Sequence, residues 1–209
     1  MTDESRWPLE GVKVLDLGQI YNGPYAGFLL AHAGADVVKV EPLGGEVLRR
    51  RGGGLGTPFS LTMLNTKKRG LSIDLKHPEG KQLLLDLVRE ADVLLENFAP
   101  GAMARLGLDA EYLLEINPRL IYGSSSGYGL SGPDRDNLAM DLTVQAIGGV
   151  MSINGPEDGP PLKAGLAVCD FAGGVHLYAA IMTALSSSSG EAGPASGSRW
   201  RSGLVRRSP

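Results

Sequence analysis

Short apolar runs alternate with stretches of helical periodicity along most of this chain, and that alternation restricts it to one architecture class. The runs are VKVLDL (12–17), DVVKVE (36–41), GLSIDL (70–75), DVLLENF (92–98) and LIYGSSS (120–126), all rich in Val, Ile or Leu. Between the third and fourth lies PEGKQLLLDLVREA, with Pro78 suited to the first helical position and Glu79 near the positive helix end. Its Leu83, Leu84, Leu87 and Val88 are predicted to share one face. YAGFLLAHAG (25–34) predicts a buried helix closed by Gly34, and DAEYLLEIN (109–117) a helix started by Asp109. Phe171, Val175, Tyr178, Met182 and Leu185 recur at helical spacing and predict a helix over 170–185. Strand, helix, strand in series requires right-handed crossovers, so the predicted fold class is α/β, a mostly parallel sheet flanked by helices.

Composition narrows the function classes. With 209 residues, 43% hydrophobic, and a formal charge of −3, the chain reads as a globular protein with no electrostatic footprint for nucleic acid. The start, MTDESRWPLEGVKV, is acidic and polar, and no run of about 18 apolar residues stands out, so a cytoplasmic protein without a membrane partner is expected. Cys169 is the single cysteine, which excludes a disulfide or cysteine cluster within one chain. His32, His77 and His176 share no ligand spacing with acidic residues, so no metal site is expected. The main unit is placed at 8–185. Residues 186–209 hold eight serines, four glycines and two prolines, with four arginines against one glutamate. They are predicted to be a disordered Ser/Gly/Arg-rich tail, and the abrupt change after Leu185 suggests a foreign or frame-shifted chain end.

Three motif matches lose their meaning in context. Gly127-Tyr128-Gly129-Leu130-Ser131-Gly132 satisfies G-x-G-x-x-G, but Pro133 and a polar run follow it instead of a helix that could face a pyrophosphate. Gly123-Ser124-Ser125-Ser126-Gly127 satisfies the G-x-S-x-G of a serine hydrolase, with His176 downstream as a base. That elbow needs a helix directly after Ser125, where glycines and Pro133 stand. Arg51-Gly52-Gly53-Gly54-Leu55-Gly56 lacks the Lys-Ser/Thr of a P-loop. The clusters Arg49-Arg50-Arg51 and Lys67-Lys68-Arg69 are candidate phosphate contacts or solvated surface.

The stretch GLAVCDFAGGVH (165–176) sets Asp170 among glycines and small apolar side chains. Read locally, Asp170 is the N-cap of the helix behind it, a role worth about 1 kcal/mol. A wider match gives it another role. LEGVKVLDL, Gly23-Pro24, GADVVKVE, NTKKRGLSIDLKHPEGK, ADVLLENFAPGAMARLGL, NPRLIYGSSSGYGLSGP, AMDLTVQAIGGVM and CDFAGGVH occur in serial order over residues 8 to 185. In this it resembles the class III CoA-transferase family, which includes formyl-CoA transferase, L-carnitine CoA-transferase and the related alpha-methylacyl-CoA racemase.

The resemblance implies a Rossmann-like domain, cut short relative to the family, acting as an acyl-CoA:carboxylate CoA-transferase. It makes Asp170 the nucleophile, passing through an aspartyl anhydride and an aspartyl-CoA thioester, with Ala172, Gly173 and Gly174 leaving room for that thioester. Coenzyme A, as the acyl-CoA substrate, is expected at Gln19, Ile20, Ile73, Asp74, Leu75, Lys76, Asn97, Phe98 and Arg105, with Lys76 and Arg105 meeting phosphates. Pro42 stands where an arginine used for CoA is found in formyl-CoA transferase. The implied partners are an acyl-CoA donor, a carboxylate acceptor and a second copy in an interlocked homodimer. Met140 stands where the racemase branch has a histidine acid/base, before the position of Asp141, and a methionine cannot transfer a proton. Family members continue beyond the helix at 170–185, so a weak or inactive chain is expected. The alternatives are an acyl-CoA racemase or epimerase, a non-catalytic remnant, and a serine hydrolase using Ser125.

Overall fold

The computed structural model describes residues 7–51, 58–189 and 204–206. In chain order the elements are β1 (Lys13–Asp16), α1 (Asn22–His32), β2 (Asp36–Glu41), α2 (Phe59–Leu64), β3 (Arg69–Ser72), α3 (Pro78–Glu90) and β4 (Val93–Glu96). There follow α4 (Ala102–Arg105), α5 (Ala110–Ile116), β5 (Ile121–Ser124), α6 (Asp141–Ile147), α7 (Val168–Ser189) and β6 (Leu204–Arg206). The sheet order is β3-β2-β1-β4-β5-β6. The first five strands are parallel, and β6 pairs antiparallel with β5. The chain leaves β1 outward through β2 and β3, then returns to the other side of β1 through β4 and β5. In such a sheet the crevice between β1 and β4, at their carboxyl ends, is where ligands bind.

Strands covered on both faces produce near-continuous apolar runs, which is why the sequence pattern finds them. β2 matches its predicted run residue for residue; the other four end one to three residues sooner than predicted, because buried side chains such as Leu17 and Ile73 belong to the loops beyond the ladder. One face of the sheet packs on α3 and α5 through Leu15, Leu84, Leu94 and Leu113. The other packs on α1 and α7 through Ala26, Leu30, Leu177 and Ile181. In α3 the buried residues are Leu84, Leu85 and Val88, whereas Leu83 is exposed, so the true face is turned by one residue from the predicted one. Asp109 caps α5 as predicted, accepting from the Tyr112 amide at 3.0 Å.

Helix α7 departs most from expectation. It begins two residues earlier than 170 and runs to Ser189, so the predicted boundary after Leu185 falls inside it. Its polar end is accommodated by back-bonding, with the Ser187 hydroxyl donating to the Thr183 carbonyl at 2.9 Å. Residues 204–206 of the predicted tail form β6; the rest of 190–209 lies outside the described residues. Val168–Ser187 is also long and apolar enough, by length and composition, to cross a membrane, against the expectation that no such run exists. Here it lies on α1 and β5, with Leu177 and Ile181 fully buried.

The α1–α7 contact depends on two glycines. A Cβ at Gly174 would stand 2.6 Å from the Asn22 carbonyl oxygen and 3.2 Å from the Tyr25 Cβ, and one at Gly173 would collide with the Asn22 amide nitrogen. The missing side chains of these glycines let two helices touch, and Gly173 also lines the cleft that holds Asp170. Tyr25 meets Phe171 edge to face at 5.0 Å beside them.

Candidate functional site

The starts of α1, α6 and α7 converge on the carboxyl ends of β4 and β5, enclosing a cleft of about 310 Å³. Asn22, Asn97, Phe98, Ser125, Asp141 and Asp170 are among its lining residues. Asp170 occupies the third position of α7, so it is not the N-cap that the local reading assigns. The capping acceptor is Asp141, 29 residues earlier. Its Oδ1 accepts from the backbone amides of Cys169 at 2.9 Å and Asp170 at 3.1 Å. Its Oδ2 accepts from Gln145 Nε2 at 2.5 Å, and Gln145 Oε1 accepts from the Ala164 amide at 2.8 Å. Asp141 and Gln145 thus pin the start of α7 and leave the Asp170 carboxylate free of capping duty. Burial pushes the Asp170 carboxyl up to about 6, and the neighbouring Asp141 charge adds to the shift. At neutral pH the group remains mostly ionised, a half-buried carboxylate whose charge is weakly solvated.

Three acids terminate strands, and each ties down the loop that follows. Asp16 Oδ1 accepts from the Gly18 amide at 2.8 Å, Glu41 Oε2 from Glu46 at 3.0 Å, and Glu96 Oε2 from Phe98 at 2.7 Å. The sequence carries this signal, since VLD, VKVE and VLLE are apolar runs ending in an acid. Asp16 is fully buried and bound by Lys68 at 2.7 Å, and Lys39 Nζ lies 3.9 Å away. Lys39 also donates to the Gly18 carbonyl. Burial raises the Glu96 carboxyl, which also accepts from the Tyr122 hydroxyl at 3.2 Å and lines an adjoining cavity of about 230 Å³.

The loop between β1 and α1 is held from two sides. Asn97, after β4, accepts from the Gln19 amide at 2.6 Å and donates to the Gln19 carbonyl at 3.0 Å, bridging the β1/β4 crevice. Ile20, a β-branched residue, sits at φ +64°, a conformation that costs of order 1–3 kcal/mol unless its surroundings enforce it. Its amide donates to Glu46 Oε2 at 3.0 Å, and burial raises the Glu46 carboxyl. Strain held in place this way is a mark of functional loops.

Of the ten site residues predicted from sequence, Asn97, Phe98 and Asp170 share the cleft. Gln19 adjoins it through Asn97, and Ile20 follows in the same loop. Arg105 is exposed on α4 and donates to the Pro100 carbonyl at 3.3 Å, one of the cleft residues. Ile73, Asp74, Leu75 and Lys76 lie beyond β3 at the far side of the sheet. Ile73 is buried in the core and Leu75 packs against it, while Lys76 and Asp74 are exposed, with Asp74 Oδ1 accepting from the Lys76 amide at 2.9 Å. Asn22 and Ser125 line the cleft without having been predicted to bind coenzyme A. Asn22 left only the weak signal of an amide before a Gly-Pro turn.

Four of the six residues in the two basic clusters are engaged within the chain: Lys68 is buried against Asp16, Arg69 pairs with Asp36 at 2.6 Å, Lys67 stacks over Trp7, and Arg49 pairs with Glu41 at 2.6 Å, while Arg50 and Arg51 are exposed. The hydrolase pattern does not assemble: irregular chain rather than a helix follows Ser125, and exposed His176 directs Nδ1 to the Ala172 carbonyl of its own helix. The glycine run at 52–56 lies outside the described residues. Among the described residues no cluster of metal-ligating side chains occurs.

The sheet order, with a half-buried carboxylate on a helix start beside the strand ends, defines an α/β protein of Rossmann type. The chain belongs to CoA-transferase family III, whose family model matches residues 9–196. It is 44% identical over 179 residues to the formyl-CoA:oxalate CoA-transferase of Streptomyces avermitilis, covering 85% of this chain and 44% of that one. It is also 44% identical over 191 residues to the succinate–glutarate CoA-transferase of Agrobacterium fabrum, covering 85% and 47%. Among solved structures, a CAIB/BAIF family protein from Brucella suis superposes with a TM-score of 0.82 at 39% identity, covering 86% of this chain and 49% of that one. The chain therefore spans about half the length of the proteins it matches.

Proposed function

We propose that the chain carries the nucleophile and part of the coenzyme A site of an acyl-CoA:carboxylate CoA-transferase. An Asp170 carboxylate oxygen attacks the acyl carbonyl carbon; a C–O bond forms, the C–S bond breaks, and coenzyme A departs as its thiolate. The thiolate then attacks the Asp170 carbonyl, releasing the first carboxylate and leaving an aspartyl-CoA thioester. The acceptor carboxylate attacks that thioester carbonyl, expelling the thiolate and forming a second anhydride; the thiolate then attacks the acceptor's acyl carbon, which forms the new thioester, breaks the C–O bond to Asp170 and frees its carboxylate. Covalent catalysis of this kind divides one difficult exchange into easier ones. The positive end of the α7 dipole, beside Asp170, favours the negative charge that develops on the carbonyl oxygen.

Asn97 and Phe98 border the pantetheine path in this reading, the Gln19-Ile20 loop and Ile73 to Lys76 flank the nucleotide, and exposed Lys76 and Arg105 meet its phosphates. The relatives named for oxalate, succinate and glutarate support carboxylate acceptors as a class. Exposed Leu138, Ile147, Ile153 and Leu166 present apolar surface near the cleft, which suits the interlocked second copy of the family resemblance. These 209 residues alone leave the cleft open to water, so hydrolysis of the anhydride is expected to outrun transfer. Met140 at the cleft wall supplies no proton for a racemase step.

The observation that carries the proposal is the half-buried Asp170 carboxylate, free of capping duty, in a cleft at the strand ends. Mass spectrometry after incubation with acyl-CoA and a hydroxylamine quench tests it. A hydroxamate on the Asp170 peptide, absent from Asp170→Ala, is expected. No modification at Asp170, or labelling of Ser125 by a fluorophosphonate probe, overturns it.

A further inference from the structure

We propose that Glu46 is a positioning residue for coenzyme A, its carboxylate clamping the loop between β1 and α1 in the strained shape that the ligand meets. The inference deepens the coenzyme A site proposed above and rests on its placement of the Gln19-Ile20 loop.

Its first support is the backbone of that loop. Ile20 sits at φ +64°, in the left-handed region, where a β-branched side chain crowds its own main chain. A residue in this conformation relaxes unless its surroundings hold it. Two groups hold this stretch. Asn97 takes Gln19 from both sides, accepting from its amide at 2.6 Å and donating to its carbonyl at 3.0 Å. Glu46 Oε2 accepts from the Ile20 amide at 3.0 Å, across 26 residues of chain. A carboxylate acceptor makes a charge-assisted bond, stronger than one to a neutral oxygen. The strained residue is therefore held at its own nitrogen by the loop that follows β2.

Glu46 is fixed in turn. Its amide donates to Glu41 Oε2 at 3.0 Å, and Arg49 grips the same carboxylate through Nε at 2.6 Å and Nη2 at 2.7 Å. Gly45 precedes it at φ +72°, in a turn closed by its own amide donating to the Pro42 carbonyl at 2.7 Å. The line Arg49, Glu41, Glu46, Ile20 thus runs from exposed surface to the loop at the carboxyl end of β1. Its last acid is a costly choice for a core position. Glu46 is 2% exposed, and burial raises its carboxyl although Lys39 and the amides of Ile20 and Leu48 favour the charge. An apolar side chain of similar volume would fill that place without the desolvation cost. What the acid supplies and an apolar residue lacks is an acceptor for Ile20, so its presence is explained by the shape of the loop rather than by the stability of the core.

Calorimetric titration of the purified 209-residue chain with coenzyme A tests the clamp. Glu46→Leu fills the buried space but removes the acceptor of the Ile20 amide. Its dissociation constant for coenzyme A is expected to rise about tenfold, as when the unclamped loop holds the binding shape about a tenth of the time. Glu46→Gln keeps an oxygen for Ile20 and is expected to bind within about threefold of wild type. Glycine adopts φ +64° without strain, so in an Ile20→Gly background Glu46→Leu is expected to weaken binding by less than about threefold. A general packing defect would weaken binding equally in both backgrounds. Unchanged affinity in Glu46→Leu, Glu46→Gln as weak as Glu46→Leu, or equal losses in both backgrounds overturns the proposal. Glu46→Met carries the same comparisons if the leucine variant does not fold. The readout also separates the clamp from the reading it rests on. No binding of coenzyme A by the wild type overturns both; the expected Glu46 pattern without an acyl adduct on Asp170 sustains the clamp and overturns the nucleophile; binding and adduct both intact in Glu46→Leu overturn the clamp alone.

Discussion

Replacing Asp170 by asparagine is expected to stabilise the fold at neutral pH, because the native structure holds this carboxylate against its preference for water. The carboxyl stands at about 6 rather than 3.8, burial first and Asp141 second. A shift of roughly two units corresponds to about 3 kcal/mol before screening. Asp170 is only half-buried, and the α7 N-terminus favours an anion by about 0.5 kcal/mol, so the net penalty is about 1–2 kcal/mol. Its sign follows from proton binding. The folded chain holds the Asp170 proton more tightly than the unfolded chain, so the wild type loses stability as pH rises from about 4 to 6, and the full loss is present above 6. Urea denaturation at pH 7.5 should therefore show Asp170→Asn more stable than wild type by about 1–2 kcal/mol, and at pH 4 the two should coincide to within about 0.5 kcal/mol. A variant less stable than wild type at pH 7.5, or a difference independent of pH, refutes the reasoning.

Two further expectations rest on neighbouring residues. Adduct formation at Asp170 should fall about tenfold per unit below pH 6, and Asp141→Asn, which removes the charge but keeps an amide oxygen for the cap, should move that acid limb to lower pH; rapid-quench adduct yields across pH 4–8 would show an unmoved limb if the Asp141 charge were irrelevant. Lys68→Met leaves fully buried Asp16 with Lys39 as its remaining ion-pair partner, 3.9 Å away, and should cost about 3–5 kcal/mol by chemical denaturation; the Asp16→Leu, Lys68→Met double variant should recover part of that loss, and a double variant weaker than both singles would contradict the pairing.

What the sequence revealed of this fold is what local physics controls. Burial on both faces writes β2 as DVVKVE and a helix start as His77-Pro78, where Pro78 occupies the first turn and the His77 ring accepts from the Glu79 amide at 3.3 Å. Helix ends are less legible. The serines after Leu185 look like a linker by composition, yet a helix already docked on α1 and β5 carries them to Ser189. The same limit governs the charges. Lys67-Lys68-Arg69 reads as one basic patch, but its members face three ways because their partners, Trp7, Asp16 and Asp36, are brought near by the parallel crossovers.

Asp170 shows where local and global readings part. As an N-cap its oxygens would be spent on backbone amides; as a nucleophile they must be free. Sequence spacing cannot decide between these, because the competing acceptor, Asp141, lies in another helix and meets the α7 amides through the tertiary fold. The strand-terminal acids follow a rule that could have been read. Asp16, Glu41 and Glu96 each end an apolar run, where a charge is costly unless it is bonded, and each accepts an amide from the loop beyond its strand. An acid at that register therefore predicts a fixed loop at the carboxyl edge of a parallel sheet. Asn97 extends the constraint by bridging from β4 to Gln19, so the loops on both sides of the β1/β4 crevice are set before any ligand arrives. Such preorganisation limits what the cleft must spend on ordering itself when a ligand binds.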